Sequence, residues 1–418
     1  MAHSSDEQMA QYDVAVVGGG MVGASFALAL AATPLRVILI ESVAPDSRTQ
    51  PSFDERTTAL GNASRRIFQA LGVWERIAPQ AAAIRAIHVS DAGRFGFARL
   101  DAREQGIEAF GHVAANRVIG AALWERLCGC ARIERRVPAR VEAVNLSADR
   151  VDLLLHVSER TERVAACLVV AADGAESKVR RAAGIDARVK EYDQVALVAN
   201  VRADRSHGGT AYERFTSSGP IALLPLHDGS YTAVWARSPD EAEEALQLPD
   251  DEFLRELQRY FGWRAGRFVR AGARGSYRLS LSRAAAAVGP RSVLIGNAAQ
   301  ALHPVAGQGF NLGLRDAAVL AEVLAEACAG SGGGEFDPGS PEVLARFAAQ
   351  RAADRRGVVG FTDGLVRLFG DSRGPVSLAR DLGLLLFDLT PPAKRALARV
   401  STGFGGHTPR LARGLPIA

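Results

Sequence analysis

A run without a single charged residue, Val14 to Leu35, constrains this chain most. It is long enough to span a bilayer, but its internal punctuation argues for something else. Asp13 to Val17 is a β-branched apolar run of the kind that forms a central, doubly buried parallel strand. Gly18-Gly19-Gly20-Met21-Val22-Gly23 follows at once, then a helical pattern over 24–32, with Thr33-Pro34 as a stop. A second strand, 35–40, ends at Glu41. Such a strand–glycine loop–helix–strand–acid series predicts a dinucleotide site. Gly18 permits the tight turn, Gly20 lets backbone approach a pyrophosphate, and Gly23 allows helix to pack on strand. The helix N-terminus offers free N–H groups to the anion, and Glu41 is placed to accept from ribose hydroxyls or to sit as a solvated strand-end acid.

Composition narrows the class. The 418 residues imply two or three domains, and 48% hydrophobic with 23% charged residues is the balance of a soluble globular protein. The net charge of +4 rests on arginine, since Lys178, Lys190 and Lys394 are the only lysines. The arginine runs are broken by Glu134 and Asp354 and are not interleaved with aromatics, which argues against nucleic-acid binding. Cys128, Cys130, Cys167 and Cys328 match neither a metal-ligand spacing nor a disulfide framework, so no metal site is expected and a reducing compartment is. The polar, acidic start of the chain has no signal-peptide pattern. The expected location is cytoplasmic, with peripheral attachment to the inner membrane left open.

Three more segments favour FAD over a permanently bound nicotinamide. Residues 167–172 form a buried strand pattern ending in Asp173-Gly174. The strand 293–295 runs into Gly296-Asn297, and a helix is expected to begin after Gly307-Gln308-Gly309, aiming its positive end back at the site. Only one glycine fingerprint occurs, so NADH or NADPH is expected as a transient co-substrate.

The residues then resemble a known family, the flavin-dependent aromatic monooxygenases of the p-hydroxybenzoate hydroxylase class. The likeness rests on the Gly18–Gly23 fingerprint, the Asp54–Leu60 block, Asp173-Gly174, Glu213–Thr216, Gly219–Leu226 and the Gly296–Asp316 block, and covers the chain from about Tyr12 onward. The class has Gly-Asp where this chain has Gly296-Asn297, and often His where it has Gln300. That variant is similar to the 2-polyprenyl-6-methoxyphenol hydroxylases of ubiquinone biosynthesis. The resemblance implies an FAD- and NAD(P)H-dependent hydroxylase of a polyprenylated methoxyphenol, acting with O2 through a flavin C4a-hydroperoxide. It implies that Arg56 follows the flavin, that Arg117 contacts FAD, and that Asn297 bonds the ribityl chain more weakly than a carboxylate would. It also places the backbone of Pro304 where oxygen meets the flavin. His303 is a candidate for phenol deprotonation or for packing. Gln308, Gly309 and Asn311 are expected along the isoalloxazine edge through backbone N–H groups. Hydroxylation at another ring position or of a small phenol, a flavin reductase that never uses O2, and a non-catalytic subunit of a ubiquinone-biosynthesis complex remain alternatives.

The expected fold is α/β: a Rossmann-like FAD-binding domain with an inserted, mostly antiparallel β-sheet substrate domain and C-terminal helices. The FAD-binding domain is expected in three parts, 11–83, 106–185 and 283–330. Sheet strands at 84–105 and a substrate domain at 186–282 interrupt it, and a connector with helices fills 331–418. Apolar residues broken by arginines at Phe361–Phe369 and Leu378–Leu389 suit either packed helices or a helix lying on a membrane surface, and other ubiquinone-biosynthesis proteins are candidate partners.

Overall fold

A computed structural model of the chain describes residues 10–45, 47, 50, 54–302, 307–332, 336–370, 381, 383, 386–404 and 406–417. The uncharged N-terminal run resolves into the strand Ala10–Val17 and the helix Met21–Leu30, with Gly18 to Gly20 between them. Among the described residues no helix is long and apolar enough to cross a membrane.

That strand lies inside an eight-stranded sheet. Val14 pairs in parallel with Leu168 of Arg160–Ala171 on one side and with Val37 of Val37–Ile40 on the other. Ser292–Leu294 and Ile133–Arg136 extend the parallel set outward. Because strand residues alternate between faces, Val14 and Val16 bury against the helices Met21–Leu30, Asn116–Cys128 and Gln308–Gly330. Ala15 and Val17 bury instead against the hairpin Arg140–Leu146/Val151–Val157. The parallel sheet is thus covered on both faces, as a continuous apolar strand requires.

A second eight-stranded sheet is antiparallel at every pairing except one. Its order runs Gln300–Ala301, Phe268–Ala284, Ala187–Ala203, Tyr231–Arg237, Gly219–Pro225, Thr210–Thr216, Ala86–Asp91 and Phe97–Asp101. Thr210–Thr216 pairs in parallel with Ala86–Asp91. The helices Pro239–Gln247 and Asp250–Phe261 cover one face, where Tyr231, Trp235, Phe253 and Phe261 are fully buried. The other face turns toward the parallel sheet. Thr57–Gly61, Gly111–Ala115 and Ala82–Ile84 form a small third sheet, so Ile84 belongs here and not with the strands that follow it.

The C-terminal part contributes the helices Pro341–Gly370 and Pro391–Ser401. Half of the apolar segment 378–389 lies outside the described residues, as do the side chains at 361–363 and 365–369.

Candidate functional site

Between the parallel sheet and the uncovered face of the second sheet lies a cavity of about 970 Å³. One end is the glycine loop. Gly18 has φ +104°, and a Cβ there would sit 2.4 Å from the carbonyl oxygen of Ala172. A Cβ on Gly23 would lie 1.9 Å from the oxygen of Gly18, so only glycine lets this helix approach its strand so closely. Trp124 Nε1 donates to Gly19 O at 3.0 Å and pins the loop from behind. The helix Met21–Leu30 has neither a capping side chain nor an acid in its first turn, so its N-terminal N–H groups are available to an anion.

Glu41 closes this end in an unexpected manner. Its carboxylate accepts from Gly19 N–H at 2.6 Å and from Val43 N–H at 2.9 Å, so it holds the loop as well as lining the cavity. Asp173 stands opposite. One oxygen accepts from Lys178 N–H at 2.9 Å, while its buried Oδ1 has no partner among the described residues. Burial pushes the Asp173 carboxyl above its ordinary value. Gly174, with φ +85°, turns the chain away.

The central section is built by Gly296, Asn297 and the start of the long helix. Gly296 has φ +59°, and Asn297 is exposed within the cavity. The helix begins at Gln308, within the glycine turn rather than after it, with Gly307 as a left-handed N-cap. Gly307 and Gly309 line the cavity. Gln308 is buried, and the Asn311 side chain is spent on the scaffold. Asn311 Oδ1 accepts from Gly61 N–H at 2.9 Å and Ser64 Oγ at 2.7 Å, while its Nδ2 donates to Ala59 O at 2.8 Å. His303 and Pro304 lie outside the described residues.

Arg56 lines the cavity, paired with Asp54, and its guanidinium sits 4.6 Å from the Tyr277 ring centroid. Asn116 ties this corner together, accepting from Thr58 Oγ1 at 2.7 Å and donating to Asp54. Arg117 directs its half-exposed side chain to Glu55 at 2.7 Å instead of into the cavity.

The roof is apolar: Ile87, Ala211, Ala222, Leu224 and Val234 all line it. Glu213 is the exception. It lies directly opposite Ala222 on the neighbouring strand, and burial pushes its carboxyl up to about 7. Sequence inspection places Glu213 only in a shared block. Alternation along Thr210–Thr216 could have put it on the roof, but only the sheet order shows that this face meets the glycine loop.

The structure therefore brings Gly18, Gly20, Glu41, Arg56, Asp173, Gly174, Gly296, Asn297, Gly307 and Gly309 to one cavity. Gly23, Gln308 and Asn311 support its wall. These features fit an extended dinucleotide: a cradle closed to any Cβ, an uncapped helix terminus and a buried carboxylate oxygen without a partner among the described residues.

Comparison with known proteins agrees with this geometry. Residues 11–353 match the family model described as an FAD binding domain. The chain is 38% identical to "Ubiquinone hydroxylase UbiL" of Rhodospirillum rubrum, over 97% of this chain and 93% of that protein. It is 32% identical to the "3-demethoxyubiquinol 3-hydroxylase" of Escherichia coli, over 94% and 98% respectively. Its fold is similar to the crystal structure of p-nitrophenol 4-monooxygenase PnpA from Pseudomonas putida DLL-E4. The TM-score is 0.78 at 21% identity, covering 96% of this chain and all of that one. With a glycine cradle, an extended cavity and a family match spanning most of its length, the chain belongs to the FAD-binding, flavin-dependent monooxygenases.

Proposed function

We propose that this protein hydroxylates the ring of a polyprenylated methoxyphenol in ubiquinone biosynthesis, using FAD, O2 and transient NADH or NADPH. The observation that carries the reading is the continuity of one cavity from the glycine cradle to an apolar roof. A dinucleotide extended from the Gly18 loop would end beneath Ala222, Leu224 and Val234, where an apolar substituted ring can lie. The likeness to the relatives named "Ubiquinone hydroxylase UbiL" and "3-demethoxyubiquinol 3-hydroxylase" supports a substrate in ubiquinone biosynthesis.

Bound FAD would supply the redox chemistry with oxygen, and the protein would orient the reactants and exclude water. Gly18, Gly20 and the helix N-terminus would hold the pyrophosphate, with Gly23 setting the helix close enough to do so. Glu41 would meet the adenosine ribose with the lone pairs left free by Gly19 and Val43. Asp173 would accept from the cofactor through its unpartnered Oδ1, on the turn made by Gly174. Asn297, beside Gly296, would bond the ribityl chain. Backbone N–H groups at Gly307, Gln308 and Gly309 would face the isoalloxazine edge, on a helix start fixed by Asn311. Arg56 would lie along the flavin. Arg117 would act through Glu55 and the 54–56 loop. Pro304 and His303 are kept as candidates beside the reacting position. Contacts with other ubiquinone-biosynthesis proteins and with the membrane surface belong to the same proposal.

The test is mass spectrometry of quinone precursors in cells lacking this gene, with and without its restoration. We expect a polyprenylated phenol to accumulate and to clear on restoration, its structure giving the ring position. Incorporation of label from 18O2 into the product separates hydroxylation from a flavin reductase. Normal ubiquinone and no precursor in the deleted strain would sink the substrate assignment.

A further inference from the structure

Glu213 occupies an improbable place for a carboxyl. It projects from the middle of Thr210–Thr216 into a wall made by Ala211, Ala222, Leu224 and Val234. A carboxyl in such a wall is costly unless something pairs with it. Burial raises its pKa, and no charge among the described residues contributes. Among the described residues the other charged side chains lining the cavity are Glu41, Arg56, Arg140, Asp173, Glu176 and Lys178. On the strands beside Glu213, its register partners Ala222 and Val89 are apolar. The residue before it, Tyr212, turns its ring to the opposite face, edge-on to Tyr231 and Phe261. Among the described residues Glu213 has no charged or hydrogen-bonding partner, and the cavity it lines leaves room for one on a ligand.

We propose that Glu213 is a catalytic residue that accepts the proton of the substrate's phenolic O–H as the ring is hydroxylated. The inference rests on the function proposed above. The phenol O–H bond breaks with its electron pair left on oxygen, and an O–H bond forms on the carboxylate. That electron pair makes the ring a stronger nucleophile toward the oxygen that the monooxygenase reaction delivers. When the hydroxylated ring regains aromaticity it releases its C–H proton and recovers one on the phenolic oxygen from Glu213. The carboxylate is thereby restored, and it is neither oxidised nor reduced. Base catalysis is most efficient when the group titrates near the working pH, and about 7 meets that condition. An apolar wall thus keeps the carboxyl basic and holds the apolar substrate with one structure.

The test uses FAD-loaded full-length enzyme with NADPH or NADH and a short-chain 2-prenyl-6-methoxyphenol. Product formation is measured apart from nicotinamide oxidation, for wild type, Glu213→Gln and Glu213→Asp. We expect Glu213→Gln to lower kcat/KM for hydroxylation by about 100-fold with FAD content unchanged. Wild-type activity should fall as the pH drops below about 7, because only the carboxylate accepts a proton. That acid limb should be absent from Glu213→Gln and retained by Glu213→Asp. A structural role would not move the limb. Thermal melting supplies the folding control: replacing a half-buried carboxyl in an apolar wall should leave Glu213→Gln at least as stable at pH 8. Wild-type hydroxylation with an unaltered rate and acid limb in Glu213→Gln would overturn the role of Glu213 alone. A wild-type enzyme that oxidises NAD(P)H without hydroxylating the phenol would overturn the function beneath it as well.

Discussion

At the scale of single residues, the cavity shows how far a side chain's identity reveals its work. Gly18 and Gly23 are legible because only glycine survives where a Cβ would meet backbone at 2.4 Å and 1.9 Å. Glu41 is legible in place and only half legible in use, since Gly19 N–H already occupies one carboxylate oxygen. Asn311 is expected at the cofactor through its backbone N–H, and its side chain has a separate task that the sequence does not announce, bonding Gly61, Ser64 and Ala59. Asn297 yields a prediction. Its side chain is exposed in the cavity, and a charge-assisted hydrogen bond is about twice as strong as a neutral one. Asn297→Asp should therefore tighten FAD binding without abolishing turnover, as read by quenching of flavin fluorescence on titration of apoprotein. Unchanged or weaker binding would show that this side chain does not reach the ribityl chain.

At the scale of elements, the uncharged segment and its glycine loop predict strand, turn and helix in order, with the strand starting three residues earlier and the helix lying two to three residues earlier than expected. The two-residue strand Gln300–Ala301, which pairs with Ser282 and Arg283, had no periodicity to reveal it. It ties the second sheet to the turn at Gly296. Behind that turn is a buried network that residue types alone do not announce. Gln300 Nε2 donates to Asp316 at 2.7 Å, Arg351 Nε donates to the other Asp316 oxygen at 2.7 Å, and Arg315 pairs with Asp354 at 3.0 Å. Arg351 and Asp316 have no exposed side-chain surface; Arg351 also pairs with Asp354, but without Arg351 the Asp316 carboxylate would be a buried charge held, among the described residues, only by Gln300. Arg351→Met should destabilise the protein by about 3 kcal/mol or more, read from urea unfolding. It should also loosen the Pro341–Gly370 helix from Gln308–Gly330, read by amide hydrogen exchange. A variant with wild-type stability would mean that the ion pair only balances its own desolvation.

At the scale of the whole molecule, acid stability should reflect groups that folding has buried. His88 and His112 are both lowered to about 4, first by burial and then by nearby arginines. Between pH 6.5 and 4 the unfolded chain binds protons at these rings that the folded protein refuses. Their contribution is full above pH 6.5 and is lost as the pH falls toward 4. Glu213, raised to about 7, acts in the opposite direction over part of that range. Two histidines against one carboxyl leave a net loss from these groups on acidification. The melting temperature should fall from pH 7 to pH 5, and the fall should be shallower in His112→Phe, which keeps an aromatic ring beside Trp74. An identical pH slope in that variant would contradict the assignment.

The sequence by itself determined the dinucleotide-binding α/β class, the antiparallel second sheet and the family, because each depends on short-range patterns. A strand's alternation, a glycine that tolerates no Cβ and a run without charge are complete within a few dozen residues. Tertiary structure decided which faces meet. Glu213 and the Gly18 loop are far apart along the chain, and only the order of the second sheet sets one above the other. The same holds for Arg351 and Asp316, and for Asn311 and Gly61. A long-range contact depends on the packing of whole elements, and no local period in the chain records it.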